Sequence, residues 1–417
     1  MSDQPAAAPP GTIVVVGTSL AGLRAAESLR QRGHEGEVVV VGAEPHPPYD
    51  RPPLSKQLLA GEWEPERIAL RQPDSFDELD VDWRLGQRAV RLDLEERVVE
   101  TDRDGRIGFA GLIIATGARP TRLPSQELAA NVHELRTLDD ALRLRDELVG
   151  GGRRVVVIGA GFIGLEVAST ATAAGNDVVV LEGAEAPLMR GLGEEMGTAI
   201  GDLLRGRGID IRCRVRVAGL SDEGIALASG ELVPADVIVV GIGVVPATEW
   251  LVGSGLALRD GVVCDETLRA LDERGAPVAG VYAAGDVARW TNVHFDEEMR
   301  VEHWTNAAEQ GAVAASNLLA ELEGGRGEPY AAVPFFWSDQ LGLRIQFLGR
   351  ADPDGTVQVV AGSPEEGKFL ALYERDGRLY GALGVNAPRW VMPMRKQLLE
   401  RVSWTDALQA AAELSAG

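Results

Sequence analysis

The chain reads as an α/β protein: two doubly wound nucleotide-binding domains and a smaller C-terminal α+β domain. Three observations predict this. A buried strand, a glycine-rich turn and a helix occur in that order twice, near Gly17 and near Gly159. Each is followed by a second apolar strand ending in an acid, Glu44 and Glu182. Beyond about Val333 the pattern changes to paired strands without nucleotide motifs.

Residues 1–11 read as a disordered tail, since they lack a basic start followed by an apolar run. The first strand is expected over 12–16, with a helix over 23–32. Between them, Gly17-Thr-Ser-Leu-Ala-Gly22 forms a cradle for a dinucleotide pyrophosphate at a helix N-terminus. Ser19 stands where the middle glycine is usual; it is small and its hydroxyl can donate to a phosphate. Glu44 is placed to accept from a ribose hydroxyl, although an acid in such a loop can also be generic. In Tyr49-Asp-Arg-Pro-Pro-Leu-Ser-Lys56, two prolines delay a helix until 54–59 and put Lys56 in its first turn. The helix dipole disfavours a cation there, so a nearby anion is expected; the alternative is a solvated lysine.

Residues 88–109 are strand-like, with Asp104-Gly105 as a turn. A buried strand then ends in Ala115-Thr116-Gly117, where backbone can pass close to a ligand. Thr137 is expected to cap a helix over 138–148. The second cradle is the sharper one, with Gly159, Gly161 and Gly164 after a run of β-branched residues. Glu182 follows about 20 residues on, the spacing expected of an acid that accepts from the adenosine ribose. No Arg follows it at once, which favours NADH over NADPH. Glu166 is an acid where helix packing needs only an apolar or small residue. A helix over 193–207, short strands and Gly241-Ile-Gly243 complete the internal repeat. Two cradles imply two nucleotides, one held and one exchanging.

Gly285-Asp286 ends a third apolar strand; Asp286 suits a polyol hydroxyl, or is simply a turn former. A helix follows, running to about Leu322. The last region should hold antiparallel strands with a hairpin at Asp376-Gly377, then helices over 390–399 and from Thr405. The domains expected are 12–118 with 247–328, the inserted 119–246, and 329–417.

With these pieces in order, the chain resembles the FAD-dependent NADH:ferredoxin reductases of bacterial oxygenase systems, the putidaredoxin reductase-like family. The motifs are Arg51-Pro-Pro-Leu-Ser-Lys56, Gly159 to Glu166, Ala284-Gly-Asp286 and Phe336-Trp-Ser-Asp-Gln340. The resemblance covers nearly the whole chain and implies two Rossmann-like domains arranged as in glutathione reductase. It implies FAD on the discontinuous domain and NADH on the inserted one. FAD contacts carried over are Ala21, Glu44, Lys56, Ala89, Arg136, Asp286 and Trp304, with the turn Gly17, Ser19, Leu20 and Gly22. Arg51, Ala115, Thr116, Gly117 and Gly285 join the candidate flavin site. Gly159, Gly161, Phe162, Ile163, Gly164, Glu182 and Gly243 form the candidate NADH site. Trp304 is expected just before the helix that faces the flavin. The catalytic candidates are Lys56 beside flavin N5, Glu166 holding Lys56, and Trp337 packing by the ring. Trp337 can otherwise be an interdomain core residue.

The implied activity is hydride transfer from NADH to FAD, then single electrons to a [2Fe-2S] ferredoxin that serves a cytochrome P450 or Rieske dioxygenase. A rubredoxin reductase, another NADH oxidoreductase, or a flavoprotein scaffold like apoptosis-inducing factor are the alternatives. Composition narrows the class further. A net charge of −22 disfavours nucleic acid and anionic membrane as partners. Two separated cysteines, Cys213 and Cys264, exclude a Cys-x-x-Cys redox centre. No histidines stand at metal-binding spacing. The protein is expected to be cytoplasmic, and a monomer or homodimer. Arg300, Arg389, Arg395, Lys396 and Arg401 are the candidate basic docking surface on an acidic body.

Overall fold

The computed structural model describes residues 11–72, 74–103, 105–124, 130–352 and 355–416. The tail 1–10 and Asp104, expected as part of a turn, lie outside the described residues. The chain falls into two units. One comprises the described parts of Met1–Asp50, Ala69–Arg119 and Val245–Ala332; the other comprises those of Arg51–Ile68, Pro120–Val244 and Val333–Gly417.

The first unit is built on Ile13–Val16, every residue of which is buried. Val38–Gly42 pairs with it in parallel on one side and Gly111–Ile114 on the other, in register Val14↔Val39 and Val14↔Leu112. Asp82–Leu85 and Pro277–Ala283 extend the parallel core outward. β-branched side chains on both faces suit a sheet covered on both sides. The helix Leu20–Gln31 starts earlier than expected, directly at the turn. It packs against Trp304–Leu322 so closely that a Cβ on Gly311 would meet the Ala21 carbonyl oxygen at 2.2 Å.

The second unit repeats this plan on Arg154–Ile158, flanked in parallel by Asp177–Leu181 and Val237–Val240. Helix Phe162–Ala173 follows the glycine turn. The next helix begins at Met189, before the expected 193, with a left-handed Leu188 at its N-cap position. Gly193, at φ 77°, breaks it internally. Thr137 caps Leu138–Leu148 as expected; its hydroxyl accepts from Asp140 N at 3.1 Å, and Asp140 answers in a capping box. The C-terminal region is a five-stranded antiparallel sheet, in the order Phe335–Gln340, Leu343–Gly349, Arg378–Val385, Lys368–Arg375, Thr356–Ser363. Asp376 and Gly377 turn its hairpin with positive φ of 51° and 74°, the type I′ signature. The helix expected over 390–399 is two, Pro388–Val391 and Met394–Leu399, separated at Pro393.

The segment Arg51–Ile68 belongs with the second unit. Leu59 sits in one core with Leu144, Leu148, Leu165 and Phe369. The residues at 52–55 form a 3-10 turn, with Lys56 at its C-terminal cap. The expected α-helix start at 54 is therefore corrected. The two prolines are compatible with a helix start, but Lys56 leaves helical geometry at φ −125°, ψ −107° and ends the turn there.

Candidate functional site

In the first unit, the strand Ile13–Val16 ends at the point where the sheet order reverses, between Val38–Gly42 and Gly111–Ile114. Open α/β sheets bind ligands at that switch point, outside the strand C-termini. Gly17 has φ 126°, and a Cβ there would lie 2.0 Å from the Ala115 carbonyl oxygen. A Cβ on Gly22 would lie 1.8 Å from the Gly17 carbonyl oxygen. The turn therefore runs hard against Ala115-Thr116-Gly117. Ser19 caps Leu20–Gln31 with no side-chain cap hydrogen bond, and Leu20 and Ala21 open the helix. At the next strand end, Glu44 accepts from the Tyr49 hydroxyl. Gly86 N donates to Glu44 O at 2.9 Å, which brings the Ala89 strand beside it. Thr116 Oγ1 donates to Ala247 O at 2.8 Å.

Gly285, at φ 77°, places its Cβ position 3.2 Å from Ala21 Cβ. Its N–H donates to Gln310 Oε1 at 2.9 Å, while Gln310 Nε2 is buried without a protein partner. A buried amide donor beside a glycine turn fits a bound group rich in acceptors. Asp286 O accepts from Arg300 Nη1 at 3.2 Å. Trp304 is the first residue of its helix rather than the one before it, and its indole N–H donates to Asp50 Oδ1 at 2.6 Å. Gly17, Ser19, Leu20, Ala21, Gly22, Glu44, Ala89, Ala115, Thr116, Gly117, Gly285, Asp286 and Trp304 thus all lie in this unit.

In the second unit, Gly159 has φ 103° and its Cβ position is 2.4 Å from the Gly241 carbonyl oxygen. A Cβ on Gly164 would lie closer still to the Gly159 carbonyl oxygen, at 2.1 Å. Gly161 differs. It is the N-cap of Phe162–Ala173, and a Cβ there would meet open space. The fold itself therefore leaves room for a side chain at 161, unlike at 159 and 164. Glu182 accepts from Ala160 N at 2.6 Å and from Ala184 N at 2.8 Å, so the acid is locked to the cradle it follows. Phe162 packs edge-on against Phe336 at 4.6 Å, whereas Ile163 is exposed. Gly243, at φ 104°, lies beside the exposed Arg190.

The same unit holds a buried polar cluster. Lys56 Nζ lies 2.6 Å from Glu166 Oε2, and it also donates to Pro52 O at 3.1 Å. Ser55 Oγ donates to Glu166 Oε2 at 2.5 Å, and Ser338 Oγ to Glu166 Oε1 at 2.6 Å. Thr170, one turn further along the Glu166 helix, donates to Ser55 O at 2.7 Å. Glu166 is only 2% exposed, so Lys56, Ser55 and Ser338 offset the cost of burying its charge. Arg51 donates to the Arg136 carbonyl. Trp337, half-buried, stacks on Phe335 with centroids 6.1 Å apart.

A family model described as pyridine nucleotide-disulphide oxidoreductase matches residues 11–311, and one described as reductase C-terminal matches 335–415. The chain belongs to the pyridine nucleotide-disulphide oxidoreductase family. Among curated members it is 36% identical to rhodocoxin reductase of Rhodococcus erythropolis, covering 94% of this chain and 91% of that one. It is also 36% identical to the ferredoxin–NAD(+) reductase component of the anthranilate 1,2-dioxygenase system of Burkholderia cepacia, over 92% and 93% of the two chains. The solved covalent putidaredoxin reductase–putidaredoxin complex superposes with a TM-score of 0.89 at 30% identity, over 98% and 99% of the chains.

The family is described by disulphide chemistry, yet this chain has no paired cysteines in its sequence. Burial pushes both thiols upward in pKa, and Cys264 is fully buried. Sequence reading missed Ser55, Ser338, Gln340 and Gln310. For Ser338 and Gln340 a signal existed. In a strand, alternate residues share a face, so these two stand opposite Trp337 and share the buried side.

Proposed function

We propose that this flavoprotein takes hydride from NADH and passes electrons singly to a [2Fe-2S] ferredoxin of an oxygenase system. The observation that carries the reading is the buried Lys56–Glu166 pair, set in the unit that also carries the Gly159–Gly164 cradle. A lysine held by a carboxylate and a carbonyl keeps one N–H for a third acceptor.

FAD, when bound, supplies the conversion of a two-electron donor into one-electron steps. We assign its pyrophosphate to the helix N-terminus at Ser19–Gly22, its ribose to Glu44 and its ribityl chain to Asp286. The tight Gly17, Gly22 and Gly285 contacts and the orphaned Gln310 amide support that assignment. Ala89, Ala115, Thr116, Gly117, Arg51, Arg136 and Trp304 complete the set by resemblance. Lys56 would steady negative charge at the flavin N5 edge, Glu166 would orient Lys56, and Trp337 would pack by the ring. NADH is assigned to Gly159, Gly161, Phe162, Ile163, Gly164 and Gly243, with Glu182 accepting from its ribose 2′-hydroxyl and repelling a 2′-phosphate.

No described helix is long and apolar enough to cross a membrane. A cytoplasmic location is part of the same proposal. The test is NADH-driven reduction of cytochrome c with purified [2Fe-2S] ferredoxin as mediator. Ferredoxin should raise the rate many-fold; a rate independent of ferredoxin would sink the partner assignment.

A further inference from the structure

We propose that Ser338 is a positioning residue for the Lys56–Glu166 pair, with Gln340 fixing the direction of its hydrogen bond. A serine hydroxyl has one proton to give and two lone pairs to receive with. Ser338 Oγ lies 2.6 Å from Glu166 Oε1 and 3.0 Å from Gln340 Nε2. The amide nitrogen can only donate, so Ser338 accepts from Gln340 and commits its proton to Glu166. Reversing the amide would place an acceptor on Ser338 and draw that proton away from the carboxylate. The carboxylate can only accept, so the Ser338 proton goes to Glu166 and the amide must turn its nitrogen to Ser338, leaving Gln340 Oε1 buried with no protein partner.

The two carboxylate oxygens are held from different segments. Oε2 receives Ser55 and Lys56, which are adjacent in sequence. Oε1 receives Ser338, from the Phe335–Gln340 strand. Without Ser338, the carboxylate is anchored on one side only, and its terminal torsion is intrinsically broad. Lys56 would then lose its fixed direction. The strand itself is well placed to act as the second anchor. Phe336, two residues before Ser338 and on the same strand face, packs on Phe162 of the Glu166 helix, and Ser338 and Gln340 are fully buried.

This inference rests on the reading that Lys56 serves the bound flavin. The experiment compares Ser338→Ala, Ser338→Cys and Ser338→Thr holoenzymes, and Ser338→Ala in a Glu166→Ala background. Readouts are the limiting rate of flavin reduction, the NADH dissociation constant, the flavin midpoint potential and the melting temperature. Ser338→Ala should slow reduction about tenfold to a hundredfold, the loss expected for one hydrogen bond to a charged group, with NADH binding changed less than twofold. The midpoint potential should become more negative. Ser338→Thr, which keeps the hydroxyl, should restore most of the rate and potential. In the Glu166→Ala background the Ser338 change should add nothing. Ser338→Cys keeps the shape with a weak donor, and decides the matter if the alanine variant does not fold. Wild-type rate and potential in both the Ala and Cys variants, or full additivity with Glu166→Ala, would overturn the proposal. A wild-type flavin that NADH fails to reduce would instead defeat the functional reading, and the potential shift would still test this one.

Discussion

Lys56 Nζ stands 2.6 Å from Glu166 Oε2, joining the end of a proline-set 3-10 turn to the second turn of the helix that follows the Gly159 cradle. Both side chains are largely buried, so neither charge is well hydrated without the other. Breaking such a pair by removing one partner costs about 3–5 kcal/mol. Glu166→Ala should therefore lower the melting temperature. It should also slow flavin reduction at saturating NADH more than it raises the NADH dissociation constant. Glu166→Gln should do the same with a smaller loss of stability. A variant that binds NADH poorly yet reduces its flavin at the normal limiting rate would return Glu166 to a packing role.

Coenzyme choice should follow Glu182. Its carboxylate is fixed by two backbone donors, so it cannot swing away from a 2′-phosphate. Glu182→Ala combined with Gly183→Arg should shift the NADPH:NADH ratio of kcat/KM by about tenfold to a hundredfold, one charged hydrogen bond's worth. Steady-state kinetics with both coenzymes checks this, and an unmoved ratio would remove Glu182 from specificity.

Gly161 and Gly164 should separate ligand from fold. A methyl on Gly164 would collide with the Gly159 carbonyl oxygen, whereas one on Gly161 would meet open space. Gly161→Ala should melt like wild type and bind NADH at least tenfold more weakly, as expected when a phosphate loses close backbone contact. Gly164→Ala should lower the melting temperature itself. Calorimetry and NADH titration distinguish the two.

Much of this was legible in the sequence. Runs such as Val155–Ile158 predict strands buried on both faces, and the glycines at their ends predict the cradles. Thr137 predicts its helix start, because a cap is a local interaction, and Asp140 completes it in the structure. What was not legible is non-local. Lys56 is expected near an anion on dipole grounds, but the residues were right for a different reason: 52–55 is a short turn, not the start of an α-helix. Ser338 sits inside a motif in which Trp337 drew the attention. Its role depends on which strand face meets the Glu166 helix, and pairing across 172 residues leaves no mark in either segment alone. Trp304 moved by one position, the usual imprecision of a helix boundary.

Acid sensitivity should appear where the central strands Arg154–Ile158 and Val237–Val240 of the second parallel sheet begin. Asp236 accepts from Arg154 N at 2.8 Å and from its guanidinium, which holds the carboxyl well down, to about 2. A depressed carboxyl stabilises the fold above its unfolded pKa and ceases to do so as pH falls through the folded one. The contribution is thus complete above about pH 4 and fades toward about pH 2. Asp236→Asn should melt below wild type at neutral pH, with the gap narrowing under acid. A constant gap across that window would mean the ion pair is not its source.

The ferredoxin interface should be salt-sensitive. Arg300 is withdrawn from it: its side chain is 10% exposed and paired with Asp260 and Glu302. Arg389, Lys396 and Arg401 are exposed in the C-terminal region. Arg389→Glu with Lys396→Glu should raise the KM for ferredoxin about tenfold at low salt, with the effect shrinking as salt rises. Equal KM at every ionic strength would place docking elsewhere.

The most direct test of the whole account is an anaerobic stopped-flow mix of the yellow protein with NADH, followed by oxidised [2Fe-2S] ferredoxin. The flavin absorbance should bleach in a single rapid phase with NADH and far more slowly with NADPH. It should then recover as the ferredoxin takes one electron at a time. A flavin that stays oxidised in excess NADH would contradict the account.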